Sequence, residues 1–335
     1  MQALIDWEAL RPLLYGLYKR DQSRGGGQEP FDAMMMFKAV LLGQWHHLSD
    51  PKLEEALLVR MDFIQFCGLN LSDPIPDETT LCRFRNRLIQ AGRLTPLLDK
   101  INAQLQGHGL MVSKAIGAVV DATLVAWAAH PNRTFTVETD TAGNAVTYED
   151  GSQPGVRCEQ KDSADADATW VKKGKKSYFG YRSYWVTDSQ DGYVRGVHTA
   201  PANQSEMNHF TQALAQVPGA IARVYADKGF SSKAHRQSLR ERKIKVAIPY
   251  RAVKNKPLTR RQKRANRWIS KTRYIVEQGF GTAKRLFHLG RASYRTTLKV
   301  NGQMTLKALC LNLLKAANKI IDIHPIKGVV YPQQG

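Results

Sequence analysis

Residues 177–200, SYFGYRSYWVTDSQDGYVRGVHTA, constrain the fold of this chain more than any other stretch. Aromatic and β-branched residues alternate along it, and the pair Asp191-Gly192 lies between its two halves. Alternation with a period of two predicts half-buried strands, and an Asp-Gly pair favours the tight turn that joins two antiparallel strands. The stretch therefore predicts a β-hairpin.

Strands and helices are predicted on both sides of this hairpin. A first strand, KAIGAVVDATLV, is predicted to end at Asp121, and a later one, ARVYADKGF, at Asp227. Helical spacing predicts helices in SEMNHFTQALAQV (capped by Ser205), SKAHRQSLRERK and TRYIVEQGFGTAKRLF, and an amphipathic tail helix in QMTLKALCLNLLKAANKII. With IKVAIPY as a further strand, this order predicts an α/β fold in which helices flank a mixed sheet.

The balance of charge indicates a polyanionic partner. The 335 residues include 49 Lys and Arg against 29 Asp and Glu, a formal net charge of +20. Nucleic acid is the commonest polyanion for such a chain, and a membrane surface is the rival. The sequence has no apolar run of bilayer length, no signal-peptide pattern and no paired cysteines, so we expect a cytoplasmic protein without a membrane span, zinc site or disulfide framework.

The chain divides into three predicted regions. Residues 1–110 predict an all-helical N-terminal domain, residues 111–320 the α/β domain, and residues 321–335 a tail. Inside the α/β domain, residues 130–172 predict a loop-rich insert or short hairpin. Residues 131–168 hold eight acids and three basic residues. A solvated loop is the preferred interpretation, and an acidic flap that limits non-specific DNA binding is the alternative.

One N-terminal helix is predicted to carry a basic outer face. The stretch PIPDETTLCRFRNRLIQAGR predicts this helix, and Thr79 or Thr80 can cap it. Its apolar residues fall on one face: Leu81, Phe84 and Leu88. Its other faces carry Arg83, Asn86 and Arg87. Such a helix suits a DNA groove, and a solvated basic surface is an equally good interpretation of this helix alone. The total charge favours DNA contact.

Three carboxylates stand out by their positions. Asp121 and Asp227 are placed at predicted strand ends, and Glu277 lies on a late helix, KTRYIVEQGFGTAKRLF. If the two strands are neighbours, their aspartates share one edge of the sheet, where functional groups of α/β proteins gather. Taken singly, each acid is more often a structural cap or ion-pair partner. The hypothesis depends on the three acids together and on the charge.

Three acids brought together repel one another, and a divalent cation removes that penalty. Mg²⁺ prefers carboxylate oxygens, and two ions about 4 Å apart can activate an attacking oxygen and stabilise a leaving one. This chemistry cleaves and transfers phosphodiesters. Cations near Glu277 would hold the nucleic-acid backbone: Arg273, Lys284 and Arg285.

Residues 251–273, RAVKNKPLTRRQKRANRWISKTR, contain ten Lys or Arg and no acid. We interpret the tract as a clamp on the DNA backbone, with an exposed basic loop or localisation-type segment as the alternative. Trp268 is expected to be buried, and stacking on an unpaired base or on an arginine is the alternative. The predicted backbone contacts are Arg260, Arg261, Lys263, Arg264 and Arg267.

Taken in order, several stretches resemble one known family. They are FDAMMMFKAVLLGQWHHLSDPKLEEALLVRMDFIQFCGL with IPDETTLCRFRNRL, then VVDATLV, KKGKKSYFGYRSYWVTD, YADKGF and RYIVEQGFGTAKR. This set is similar to the bacterial insertion-sequence transposases with an Asp-Asp-Glu triad, specifically the insertion sequence 5 family, over nearly the whole chain. The spacing of the family's last motif fits Arg273, Glu277 and Lys284, while Ser270 stands where the family has Tyr.

The resemblance implies an RNase H-like catalytic core preceded by a helical DNA-binding domain. Asp121, Asp227 and Glu277 would hold Mg²⁺ or Mn²⁺, with two ions expected. Water would free a 3′-hydroxyl at each transposon end, and that hydroxyl would attack target DNA, with Arg273 and Lys284 near the scissile phosphate. A homodimer or larger complex, acting on double-stranded DNA at the bacterial nucleoid, is expected.

Two other functions remain open at this point. A non-enzymatic DNA-binding regulator derived from a transposase would bind terminal repeats without cutting them. A nuclease of the same fold would cut without joining.

Overall fold

The structure, a computed structural model, describes residues 4–18, 29–112, 117–137, 156–161, 163–252 and 257–323. Helices build its N-terminal part, as predicted: α1 (Arg11–Leu14), α2 (Ala33–Trp45), α3 (Asp50–Val59), α4 (Met61–Cys67), α5 (Glu78–Gln90) and α6 (Leu94–Gly107). None of the helices within these ranges has the length and apolarity needed to cross a bilayer.

The rest of the described chain alternates strands and helices. The strands are β1 (Ala118–Ala126), β2 (Asn132–Val137), β3 (Val156–Lys161), β4 (Thr169–Lys173), β5 (Lys176–Asp188), β6 (Val194–Pro201), β7 (Arg223–Ala226) and β8 (Lys245–Ala247). The helices are α7 (Glu206–Ala215), α8 (Lys233–Glu241), α9 (Arg260–Phe287) and α10 (Thr297–Ile323). The predicted hairpin is confirmed as β5 and β6, and Ser205 caps α7 by accepting from the backbone N–H of Met207.

The main sheet is mixed, as predicted. The strand order is β6, β5, β1, β7, β8. Strand β4 pairs with the same edge of β5 as β6 does, but with the first residues of β5 instead of the later ones. Strand β1 is antiparallel to β5 and parallel to β7, and β7 is parallel to β8. Strands β2 and β3 form a separate two-stranded hairpin inside the predicted insert. The middle of the insert lies outside the described residues.

The two faces of the sheet bury different sets of side chains. Val119 and Val125 of β1 belong to a large cluster that also holds the N-terminal helices, α9 and α10. Ala118 and Val120 belong to a second cluster with α7 and α8. Successive strand residues point to opposite faces. Asp121 therefore shares the face of Val119 and Val125, which is the face that α9 covers.

Three local predictions were wrong. Strand β1 does not end at Asp121 but continues to Ala126, because β5 pairs with its whole length. Helix α5 is capped by neither Thr79 nor Thr80, since it begins earlier and the carboxylate of Asp77 accepts from the Thr80 backbone N–H at 2.5 Å. Helix α10 is not amphipathic over residues 302–313, because it packs between the sheet and the N-terminal helices and is buried there on all sides.

Polar contacts fix the N-terminal helices to the chain between α9 and α10. Tyr294 lies in that connection, and its hydroxyl accepts a hydrogen bond from Gln44 of α2 at 2.6 Å. Its ring lies 4.3 Å from the guanidinium of Arg85 in α5, which also pairs with Asp50 of α3. The main sheet and the N-terminal helices are therefore joined by specific contacts as well as by a common apolar cluster.

Candidate active site

The register of the sheet brings the two aspartates together. Strand β7 pairs with β1 only as far as Val120 opposite Ala226, so Asp121 and Asp227 are the next residues of two adjacent parallel strands. Asp121 accepts a hydrogen bond from the backbone N–H of Ala122 at 2.8 Å. Asp227 leaves β7 and begins a short 3₁₀ helix by accepting from the Lys228 N–H at 2.7 Å. The neighbour relation on which the sequence hypothesis depended is confirmed.

Helix α9 provides the third carboxylate. The helix starts within the basic tract at Arg260, after a capping box between Thr259 and Gln262, and crosses β1 and β7 on the Asp121 face. Arg273 and Glu277 lie four residues apart and so share one side of it. The long helix therefore places its middle, rather than its end, beside the two aspartates.

Arg273 lies between all three carboxylates. Its Nη1 is 3.1 Å from Asp227 Oδ1, while its Nη2 is 3.2 Å from Glu277 Oε1 and 3.7 Å from Asp121 Oδ2. The Arg273 side chain is only 15% exposed, and its Nε is buried without a hydrogen-bond partner among the described residues. A single cation thus balances three acids at this point.

The position of Asp121 makes its carboxyl a weaker acid than usual. Burial is the main cause that raises the pKa of Asp121 to about 6, and the charges of Asp227 and Glu277 act in the same direction. The Ala122 N–H and Arg273 oppose this rise. The exposed fraction of the side chains grows from 18% at Asp121 through 36% at Asp227 to 58% at Glu277. The site therefore opens to solvent on the Glu277 side.

The donor set fits a hard divalent cation. Three carboxylates supply the oxygen atoms that Mg²⁺ and Mn²⁺ prefer, and they already converge on one positive group. With the guanidinium between them, no three acidic, His or Cys side chains of the described residues form a ready-made ligand set. Binding of a cation here requires Arg273 to give up at least part of its contacts.

A groove of about 600 Å³ leads away from the acids along β1. Glu277 and Lys284 line it from α9, so the predicted proximity of these two residues is confirmed. Lys173 and Tyr178, on the β4–β5 hairpin, line its other side. The sequence analysis did not assign these two residues to a site, although the motif KKGKK was a visible signal.

The other predicted DNA contacts lie apart from the acids. Arg285 faces a separate groove between α9 and α10. Arg83 and Arg87 are exposed on α5, where the Arg87 guanidinium lies 5.7 Å from the ring of Tyr18. Five exposed cations crowd the first turns of α9: Arg260, Arg261, Lys263, Arg264 and Arg267.

The expected burial of Trp268 was wrong. Its side chain is 48% exposed and lies on the flank of α9 against β7. The ring lies 5.6 Å from that of Tyr225 and 5.1 Å from the guanidinium of Arg223. Of the alternatives considered, stacking on an arginine is the one observed. Ser270, which replaces the family's Tyr, donates to the Asn266 carbonyl of its own helix at 3.0 Å.

Comparison with known proteins identifies the family. Residues 113–313 match the model of the Transposase DDE domain, and residues 1–87 match the Transposase domain (DUF772). Over 238 residues the chain is 43% identical to the transposase for insertion sequence element IS1106 of Neisseria meningitidis serogroup B, which covers 71% of this chain and 78% of that relative. The chain belongs to the DDE transposase family.

Several expectations are thereby confirmed. The transposase has the RNase H-like fold of its family, it is related to bacterial insertion-sequence enzymes, and its class generally uses divalent metal. Membership of the insertion sequence 5 family stays a prediction. Among solved structures, the cryo-EM structure of the piggyBac transposase synaptic complex with hairpin DNA has a TM-score of 0.43 and 10% identity, over 94% of this chain and 76% of that chain. A likeness at this level carries no information about the site.

Proposed function

We propose that this transposase cuts the terminal inverted repeats of its own insertion sequence and joins the freed ends to target DNA, with Asp121, Asp227 and Glu277 as ligands of two Mg²⁺ or Mn²⁺ ions. The observation that supports this proposal is the convergence of the three carboxylates on one guanidinium, at 3.1 to 3.7 Å. Structural acids at strand ends and on helices have no need to share a cation.

The chemistry follows from this arrangement. Bound metal would supply activation of the attacking oxygen and stabilisation of the leaving one. In the first step a water oxygen bonds to phosphorus and the bond from phosphorus to the 3′ oxygen breaks, which leaves a 3′-hydroxyl and a 5′-phosphate. In the second step that 3′ oxygen attacks a phosphorus atom of target DNA and displaces the target's own 3′ oxygen. Arg273 and Lys284 contact the phosphates beside the reacting one.

Positive charge elsewhere on the surface holds the DNA. The exposed cations of α9 lie in its first turns, where the helix dipole disfavours positive charge, so phosphate binding would relieve an unfavourable arrangement. The helical region of residues 1–110, with Arg83 and Arg87 of α5, binds the terminal repeats. Because two ends are cut and joined together, the active complex holds at least two copies of the chain. Within the bacterial cell it acts on DNA of the nucleoid.

The test is cleavage of duplex DNA that carries the element's own ends, with Mg²⁺, by the wild type and by Glu277→Gln. We expect cleavage and strand transfer into a plasmid by the wild type, neither by the variant, and equal DNA binding by both. Glu241→Gln, the same change at an exposed site on α8, is the matched control and should cleave normally.

The possible results separate the alternatives. Equal cleavage by the wild type and Glu277→Gln would exclude Glu277 as a catalytic ligand. Cleavage without strand transfer would indicate a nuclease. DNA binding without cleavage, by the wild type as well as by both variants, would indicate a regulator.

A further inference from the structure

The hairpin that joins β4 to β5 carries a concentration of positive charge that the proposed function does not use. It presents four exposed lysines around one glycine: Lys172, Lys173, Lys175 and Lys176. Gly174 has φ +62°, a conformation that suits Gly in the first central position of a tight turn. We call these four side chains the lysine hairpin.

The pairing of this hairpin is unfavourable for the isolated protein. Lys173 lies directly opposite Lys176 in the β4–β5 ladder, and like charges in that position destabilise a sheet. None of the four lysines forms an ion pair with a carboxylate among the residues that the structure describes. An arrangement of this kind is stabilised when a polyanion lies across it.

The lysine hairpin belongs to the groove that leads from the acids. Lys173, from the hairpin, and Lys284, from α9, both line it. The pKa of Lys284 is lowered, first by its partial burial and then by the charge of Lys173, so the two ammonium groups repel each other across the groove. A phosphate between them would remove this repulsion.

The wall of the groove is also shaped for close approach. Gly281 lies on α9 between Glu277 and Lys284, and a Cβ built on it meets nothing within 4 Å. A glycine inside a helix lowers the stability of that helix relative to alanine. Nothing in the packing requires glycine here, whereas any larger side chain would project into the groove. We therefore explain Gly281 by the missing side chain, which keeps this part of the groove open for a ligand.

The distance from the acids to the lysine hairpin sets a length scale. Asp121 lies opposite Trp185 in the β1–β5 ladder, and Lys176 is nine residues away from Trp185 along β5. At about 3.3 Å per residue this distance is ~30 Å. Successive phosphates of one DNA strand are about 3.4 Å apart along the axis, so the hairpin reaches phosphates ~9 nucleotides from one at the acids.

We propose that the lysine hairpin and Lys284 bind the phosphodiester backbone of duplex DNA along this groove, up to about 9 nucleotides from the cut. The proposal rests on the proposed function, because that function places the cut at the three acids. The DNA in the groove can be the element's end or the DNA that flanks it, because both offer the same phosphodiester backbone.

The test measures binding rather than cleavage, in the Glu277→Gln background and without metal. Fluorescence anisotropy compares this protein with a version in which the four hairpin lysines are Gln, on duplexes with long arms on both sides of the cut. We expect the Kd to rise at least about tenfold at 0.1 M salt, and the slope of log K against log salt to fall by about 0.9 for each phosphate that the variant no longer neutralises. A matched control replaces four exposed cations near the other face of the sheet with Gln, namely Lys233, Arg240, Arg242 and Lys245, and should change little.

Shortened duplexes locate the contact. Two further duplexes each have one arm shortened to 4 base pairs. The difference in Kd between the two proteins should vanish on the duplex that lacks the arm in the groove. The result therefore shows whether the groove holds the element's end or the flanking DNA. Gly281→Gln, which fills the groove without changing charge, should weaken binding to the same long-arm duplex. Equal Kd values and slopes on long duplexes, or an equal loss on both shortened ones, would overturn the proposal. Because no cleavage is measured, a failure of the proposed function leaves this result interpretable.

Discussion

At the scale of single residues, the contacts of Arg273 decide what the site can do. In this structure its guanidinium satisfies three acids, whereas the family resemblance gives it a phosphate. Both roles are compatible if metal replaces the guanidinium among the carboxylates and Arg273 then turns to DNA. Arg273 would thus stabilise the acids before metal binds and compete with the metal for them.

Replacement of Arg273 by Gln tests this competition. Without metal, the free energy of unfolding should fall by about 1–3 kcal/mol, because Asp227 and Glu277 lose a charged hydrogen-bond partner and the mostly buried Asp121 loses its neighbouring positive charge. Addition of Mn²⁺ should raise the Tm of the variant more than that of the wild type, because a tighter ligand stabilises more at equal concentration. Thermal unfolding with and without Mn²⁺ measures both effects. Lys271→Gln, an exposed change on the same helix, is the control, and a weaker Mn²⁺ response in Arg273→Gln would contradict the idea.

Lys307 is a buried cation with a structural role. Its Nζ donates to the carbonyls of His288 and Arg291 at 2.8 and 3.3 Å, just beyond the C-terminus of α9. This segment also bridges to Ala126 at the end of β1. Burial lowers the pKa of Lys307 from 10.5 to about 8. Lys307 of α10 therefore fixes the segment that follows α9, and this segment in turn pairs with the end of β1.

The lowered pKa predicts a pH dependence of stability. Between pH 8 and 10.5 the unfolded chain binds more protons at Lys307 than the folded chain, so the free energy of unfolding rises with pH in this window. The gain is fully present above pH 10.5 and is lost as pH falls to 8. Relative to Lys307→Met, wild-type stability should increase by up to about 3 kcal/mol across the window. Urea unfolding at several pH values measures it, and parallel curves for the two proteins would refute it.

At the scale of elements, α9 and α10 are long helices whose ends are held in different ways. Helix α9 has a local capping box. Helix α10 is capped from a distance, since the Thr297 N–H donates to Asp167 Oδ2 at 2.7 Å and the Thr296 N–H to Asp165 at 3.2 Å. Asp165 and Asp167 follow the β2–β3 hairpin, so the end of the insert fixes the start of the central helix.

Removal of this distant cap should destabilise the protein moderately. Asp167→Ala should lower the free energy of unfolding by about 1 kcal/mol, as for the loss of a helix N-cap. Asp167→Asn keeps an acceptor and should lose less. Chemical denaturation of the three proteins gives the values, and an Asn variant as unstable as the Ala variant would show that charge rather than the hydrogen bond matters.

The first turns of α9 also allow a direct test of their role. Arg260, Arg264 and Arg267 are all exposed, so replacing them with Gln should leave the fold intact. If each contacts one phosphate, the slope of log K against log salt should fall by about 0.9 per residue, close to three in total. DNA binding over a range of salt concentrations provides the measurement. An unchanged slope would leave these residues as a solvated surface.

At the scale of the whole molecule, the N-terminal helices and the catalytic sheet share one apolar cluster. Leu306, Leu309 and Leu313 of α10 are fully buried in it, together with Leu98 and Phe37 from the N-terminal helices. A boundary near residue 110 stays a prediction. The apolar cluster contains residues from both sides of this boundary.

Deletion of residues 1–110 should therefore expose a large apolar face of α10. We expect the remaining chain to aggregate or to bind a hydrophobic dye strongly, because contiguous apolar surface of this kind is rarely tolerated in solution. Size-exclusion chromatography and dye fluorescence check it against the full chain. A monodisperse, dye-silent fragment would show that the two regions are independent domains.

The sequence alone determined the features that depend on local pattern. The period-two alternation and the Asp-Gly pair defined the β5–β6 hairpin, and helical spacing located most helices, because these patterns reflect the geometry of a single element. The three acids could be proposed because the order of elements suggested where strand ends would meet. The four-residue spacing also predicted that Arg273 and Glu277 face the same way.

Only the tertiary structure decided how these elements combine. The contact of Arg273 with Asp121 and Asp227 depends on the β1–β7 register and on where α9 crosses the sheet. The burial of α10 depends on helices that lie far away in sequence, and the contacts of Trp268 depend on where α9 crosses β7. The lysine hairpin is plain in the sequence, but its place along the groove that leads from the acids follows from the pairing of β4 with β5. Contacts between distant segments are set by packing, and no local pattern encodes them.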